Sequence, residues 1–249
     1  MLSSSAVLRW VLLVSNAMRQ VIRPLTAAAL VGAATLLRHR FLNWGATGDE
    51  RHCALAGDGV LPTADVSTTR SITINAAGAD VWPWLAQLGQ GRGGFYSYDW
   101  LENRIPGVDI HNADRIFPQW QQLDVGDEVR LAPEVPLTVV VLEPGRALVL
   151  RGSVPMGGVA PPYDFTWAFV LLPRPDGRTR LVVRERYAYT RRWGALIVQP
   201  ATLVSCLMTP KMLRGIRSRA QRTTPGAAGT PSLPIPDHDA TAEPISAAR

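Results

Sequence analysis

The amino-acid sequence predicts an α+β fold in which a curved antiparallel sheet wraps a long C-terminal helix. Three observations carry this expectation: a strand and helix near Thr69, a switch to period-two hydrophobicity after Val125-Gly126-Asp127, and a long uncharged stretch starting at Ala195. With 249 residues, 47% of them hydrophobic, the chain can bury one substantial core.

From Val7 to Leu37 the chain is strongly apolar but interrupted by Arg9, Arg19 and Arg23. Its uninterrupted part, Pro24 to Leu37, would span only about 21 Å as a helix, short of the roughly 30 Å hydrocarbon thickness of a bilayer. On a helical wheel Arg9, Asn16, Gln20 and Arg23 gather on one side, the pattern of a surface-lying amphipathic helix. Five arginines precede Gly45 and no acid precedes Asp49, a balance that favours an anionic cytoplasmic leaflet. Residues 1–43 are therefore expected to form an apolar, basic helical extension that either lies on a membrane surface or docks on the domain. No signal-peptide order is visible, so the expected location is cytoplasmic, with the inner face of the plasma membrane as the alternative. Residues 44–68 read as a linker, and the core domain is expected over 69–222.

Within that domain Arg70 to Asn75 alternates, with Ile72 and Ile74 on one face, as a short strand does. Ala79 to Leu88 reads as a helix: Asp80 and Pro83 sit early, and Val81, Trp84, Leu85 and Leu88 recur at helical spacing. A second, short helix is expected from Ser97 to Asn103, capped by Ser97 or by Asp99, the latter with Glu102 three residues on. Five strands follow, at Glu128–Leu131, Leu137–Leu142, Ala147–Arg151, Phe165–Leu172 and Arg180–Tyr189. Turn residues such as Glu143-Pro144-Gly145 and Pro175-Asp176-Gly177 join them into an antiparallel meander. The last helix is expected from Ala195 to Arg219. Its first half has no charge, which predicts cover on all sides, and Pro200 and Pro210 should start, kink or break it. Residues 223–249 are too rich in Pro, Gly, Ala and Ser to bury a core and read as a disordered tail.

Composition excludes several function classes. The net charge of +6 is almost entirely arginine, Lys211 being the only lysine, and it forms no basic stripe interleaved with aromatics, so no nucleic-acid partner is expected. Cys53 and Cys206 lie far apart and make neither a disulfide framework nor a zinc motif. The glycines from Gly89 to Gly94 follow a helix instead of a strand and lack the lysine-serine/threonine ending of a phosphate loop. There is no Gly-x-Ser-x-Gly elbow and no dinucleotide fingerprint, so neither a hydrolase nor a cofactor is indicated.

What the order of elements does predict is a cavity. A sheet curled around one helix leaves space between them, lined by inward-pointing residues at alternate strand positions. The densest chemistry lies in Gly89 to Asp114, GQGRGGFYSYDWLENRIPGVDIHNAD, read as a hinge or lid that brings Phe95, Tyr96 and Tyr98 to a pocket mouth, with Trp100 beside them. In the last strand, alternation places Arg180, Arg184 and Arg186 on one face and Glu185 on the other. Three arginines belong in water, which turns Glu185 inward. A carboxylate in apolar surroundings can act as acid, base or ligand anchor; equally, it can be the structural partner of an arginine. Asp109 and His111 would share a face in extended backbone, giving a general base held by a carboxylate or a loop lock. With Asp114 they form a histidine-poor set, and no metal is expected.

The run GRGGFYSYDWLEN, then DIHNADRI, VGDEVRL and MLRGIRSRA, resembles the START-like (SRPBCC) superfamily, specifically bacterial proteins of the polyketide cyclase/dehydrase and lipid-transport type. The resemblance spans about Phe41 to Arg222. It implies a helix-grip fold and a hydrophobic small-molecule cavity, and it carries over no catalytic residue. Three readings follow. The first is a carrier or sensor of a lipid or polyketide-like molecule, held by Phe95, Tyr96, Tyr98, Trp100, His111 and Glu185. The second is a cyclase, dehydratase or aromatase type of enzyme that moves protons with His111, Glu185 or Asp109. The third is a membrane-associated lipid-handling protein. The sequence does not fix an oligomeric state.

Overall fold

The computed structural model describes residues 35–104, 108–154 and 159–223, together with 26, 32 and 33. Most of the expected N-terminal amphipathic helix and all of the expected tail beyond residue 223 lie outside the described residues. Residues 35–42 are helical. Short helix α1 (Gly48–His52) follows, closed by a capping box in which Thr47 and Glu50 satisfy each other's backbone N–H groups. Strand β1 (Val66–Ile74), α2 (Gly78–Ala86) and the single turn α3 (Asp99–Glu102) come next. Then follow β2 (Glu128–Ala132), β3 (Val135–Glu143), β4 (Ala147–Gly152), β5 (Tyr163–Pro173) and β6 (Thr179–Tyr189), and α4 (Ala195–Thr223) closes the domain.

All six strands form one antiparallel sheet in the order β1-β6-β5-β4-β3-β2. The meander expected from the period-two segments is present, and β1 closes onto β6 with Thr68 opposite Glu185 and Ile72 opposite Leu181. Register shifts in β2–β3 between Arg130 and Ala132, and in β3–β4 between Val139 and Val141, put extra residues on one strand; such bulges bend and twist a sheet. The concave face so made carries Ile72, Ile74, Leu137, Val139, Leu148, Leu150, Phe169, Leu181 and Val183, and α4 lays Val198, Met212, Leu213, Ile216 and Ala220 into the same core. This is the helix-grip arrangement.

Four expectations are corrected. The helix α4 runs unbroken through Pro200 and Pro210, although each removes a backbone donor. The helix packs on α2 and β1, and that tertiary packing outweighs a local cost of about 3 kcal/mol. Nor is its uncharged half covered all round: Leu196, Leu203, Val204 and Leu207 are exposed. The arginines of β6 are not in water either. Residues 44–62, read as a linker, form a strap over the convex face of the sheet. Arg180 Nε donates to Glu50 (2.7 Å), Arg184 donates to the Cys53 carbonyl (3.0 Å) and to Asp58 (2.5 Å), and Arg186 donates to the Leu61 carbonyl (3.0 Å). The alternation was read correctly, but it divides two buried faces, one apolar and one ionic.

Candidate cavity

Between the sheet, α3 and α4 lies a cavity of about 420 Å³, within the range that holds a small organic ligand. Its walls are overwhelmingly apolar. Strands β3, β5 and β6 supply Leu137, Phe165, Trp167 and Tyr187, the lid supplies Phe95 and Ile110, and α4 supplies Val204, Met208 and Met212. Phe95 packs on Trp167 with ring centroids 5.9 Å apart, and Phe165 stacks on Tyr187 at 4.6 Å, so one wall is a continuous aromatic surface.

One wall is polar. Glu185 points inward, as the alternation predicts, and is fully engaged there. It accepts from Arg70 Nη1 (2.9 Å), from Thr209 Oγ1 (3.3 Å), from Thr68 Oγ1 (3.4 Å), from Tyr187 Oη (3.4 Å) and from Ser205 Oγ. Arg70 also donates to Ser205 Oγ (3.0 Å) and Cys206 Sγ (3.4 Å). Burial is the largest single influence on Arg70 and opposes its charge, but Glu185, Cys206 and Tyr187 together outweigh it and hold the guanidinium protonated. Burial and the same carboxylate push the Tyr187 hydroxyl well above its ordinary range, which keeps it a donor. Ser205 and Thr209 stand one turn apart on α4, and this explains why its uncharged half is interrupted by hydroxyls on the inward side. Arg70 was missed in the sequence, although a signal was present: it alternates with Ile72 and Ile74 and therefore shares their buried face.

A second carboxylate lines the cavity from the lid side. Glu102, on α3, has its Oε2 buried without a hydrogen-bond partner among the described residues. Burial first, and the neighbouring Asp99 charge second, raise its pKa to about 7. A group poised there can take or give a proton at neutral pH. The sequence placed Glu102 only as a capping partner for Asp99; in the structure Tyr98 is the N-cap, and Asp99 accepts from the Trp100 N–H instead.

Of the six residues expected to hold ligand, Phe95 and Glu185 line the cavity and the other four do not. Tyr96 turns away into the core, because its backbone has φ +56° and its hydroxyl is tied to the Trp84 carbonyl (3.1 Å) and the Gln87 amide (3.0 Å). Tyr98 lies near the surface, 6.3 Å from Trp100 edge to face and under the Lys211 ammonium. Trp100, in the first turn of α3, is 60% exposed. His111 pairs with Asp109 at 2.8 Å, with both side chains about 80% exposed, outside the cavity. Asp114 is turned elsewhere, to Arg219 (2.9 Å). The loop is locked instead by two asparagines: Asn103 exchanges hydrogen bonds with the Ile110 backbone, and Asn112 accepts from the Tyr96 N–H while donating to the Ser97 carbonyl. The glycine turn is also pinned, since Gly89 and Gly94 exchange both backbone hydrogen bonds at 3.1 Å and Arg92 donates to the Ala86 and Trp120 carbonyls.

No family profile matches the chain, and no curated protein matches it. Among solved structures it is similar to the ZhuI aromatase/cyclase from Streptomyces sp. R1128, at 14% identity over 66% of this chain and 99% of that one, with a TM-score of 0.37. CalU16 from Micromonospora echinospora matches at 16% identity over 63% and 84%, with a TM-score of 0.31. A hypothetical protein from Helicobacter pylori matches at 14% identity over 70% and 99%, with a TM-score of 0.43.

Proposed function

We propose that this protein binds a hydrophobic or aromatic small molecule in the cavity between sheet and C-terminal helix, as a carrier or sensor. The observation that carries the reading is a cavity with an aromatic wall and a buried polar cluster at Glu185. Apolar walls supply affinity through buried area at roughly 25 cal/mol per Å² before binding costs, and the cluster at Tyr187, Ser205 and Thr209 orients one polar end. Neither Tyr98 nor His111 takes part. Native mass spectrometry of the full chain, purified gently from its producing cells, tests this. A retained lipid or polyketide-like compound at one copy per chain supports the reading, and a chain that stays empty through an apolar ligand library contradicts it.

A second reading, proton-transfer catalysis of cyclase or dehydratase type, is favoured by the poised carboxyl of Glu102 on the same cavity. It runs without His111. Turnover of a carbonyl-bearing ligand that is lost in Glu102→Gln, while ligand affinity persists, supports the enzyme; turnover unchanged in Glu102→Gln removes this carboxyl from the chemistry.

A further inference from the structure

We propose that the exposed stripe of α4, together with helix 35–42, docks the protein on an anionic lipid surface with the cavity mouth facing the bilayer. Leu196 (76% exposed), Leu203 (62%) and Leu207 (54%) project from α4 at helical spacing, and Phe41 joins Leu203, Leu207, Arg38 and Cys206 around one shallow groove. A contiguous apolar surface of this kind marks an interaction site. The adjacent stripe on the same helix, Ala201, Val204 and Met208, lines the cavity, and Val204 is itself exposed, as are Leu131 and Val154 on the opposite rim. The apolar surface and the cavity mouth are therefore continuous.

Charge decides the occupant. Neither Ala195–Arg222 nor residues 1–48 contain an aspartate or glutamate, and the apolar stripe of α4 runs into Lys211 and Arg214 while Arg38 flanks the groove. A second copy would oppose these cations with the same cations. The chain's own first residues bring only Arg9, Arg19 and Arg23. An anionic bilayer supplies both the apolar interior for the leucines and the negative headgroups for the arginines and lysine. The acids Asp99, Glu102 and Glu134 belong to the lid and the β2–β3 turn and none lies on α4, so the α4 side meets the headgroups. The surface exists whether or not the cavity is occupied; it rests on the ligand-carrier reading only for what passes through the mouth.

The test is flotation of the full chain with phosphatidylcholine vesicles, with and without about 30 mol% phosphatidylglycerol, an ample density of anionic headgroups. Binding is expected to the anionic vesicles, to weaken as salt rises, and to fall about tenfold or more in Leu203→Glu/Leu207→Glu. That variant touches exposed positions outside the cavity, so its melting temperature and its affinity for an apolar cavity probe should stay at wild-type values. Maleimide labelling of Leu203→Cys, with the labelled residue identified by peptide mass, resolves the other occupants. Protection only on adding anionic vesicles supports the proposal. Protection without vesicles at every concentration assigns the face to the chain's own N-terminal residues and overturns it, and protection that grows with protein concentration assigns it to a second copy and overturns it. Vesicle binding without any cavity ligand would sink the carrier reading alone, whereas ligand binding without vesicle binding would sink this one alone.

Discussion

Glu185 and Arg70 form a fully buried ion pair in which the carboxylate accepts from five groups while Arg70 Nε finds no partner among the described residues, so the pair is sensitive to the loss of one member. Arg70→Met should leave the Glu185 carboxyl buried without its cation and destabilise the protein by about 3–5 kcal/mol, read by urea unfolding. Joining it with Glu185→Leu should recover most of that loss; a double variant as unstable as the sum of the singles would contradict the pairing. Glu102 gives a different signature. Its pKa in the fold, about 7, stands above the ordinary 4.5, so the folded state favours the proton. The corresponding stability is fully present below 4.5 and is lost as pH rises through about 7. Glu102→Gln should flatten the pH dependence of the melting temperature over that window and raise the melting temperature at pH 8. An unchanged profile would place the titration elsewhere. At this scale the sequence was half legible. Alternation turned Glu185 inward because a strand has only two faces, and the same rule applied to β1 would have placed Arg70 beside it. Tyr96, Tyr98, Trp100 and His111 were misplaced because a loop has no period: their directions follow from the left-handed turn at Tyr96 and the side-chain locks of Asn103 and Asn112.

The strap and the C-terminal helix show how elements hold the site. Glu50 binds Arg180, Ser71 and the Thr47 N–H. Although burial raises its pKa, these bonds, Arg180 foremost, outweigh that and lower it from 4.5 to about 2. The stability it contributes is present above 4.5 and lost as pH falls toward 2. Glu50→Gln should therefore weaken acid sensitivity below pH 4.5 and raise hydrogen exchange across residues 44–62; equal exchange in both proteins would mean that the strap does not depend on this ion pair. On the opposite side α4 approaches the lid so closely at Gly215 that an added Cβ would collide with the Tyr96 carbonyl oxygen. Gly215→Ala should cost about 1–3 kcal/mol by chemical denaturation even though alanine is the better helix former, and a stabilised variant would show that the lid is free to retreat. The strands, the two main helices and their order were readable because their periods are long and regular. The strap was not: its segment carries no period, and its attachment depends on charges that β6 hides on its convex face.

Seen whole, the molecule places one apolar space between sheet and helix, stabilises it with an ionic cluster at one wall and an aromatic surface at another, and opens it beside an apolar, basic helix face. The central claim is that this space accepts an apolar guest. The most direct measurement is the titration of an apolar fluorophore against the full chain and against Leu137→Trp, which adds bulk inside the cavity. Saturable binding at one probe per chain is expected in the wild type, with quenching of tryptophan emission, and at least a tenfold loss in the filled variant while it still unfolds cooperatively. Equal binding by both proteins, or none by either, would contradict it.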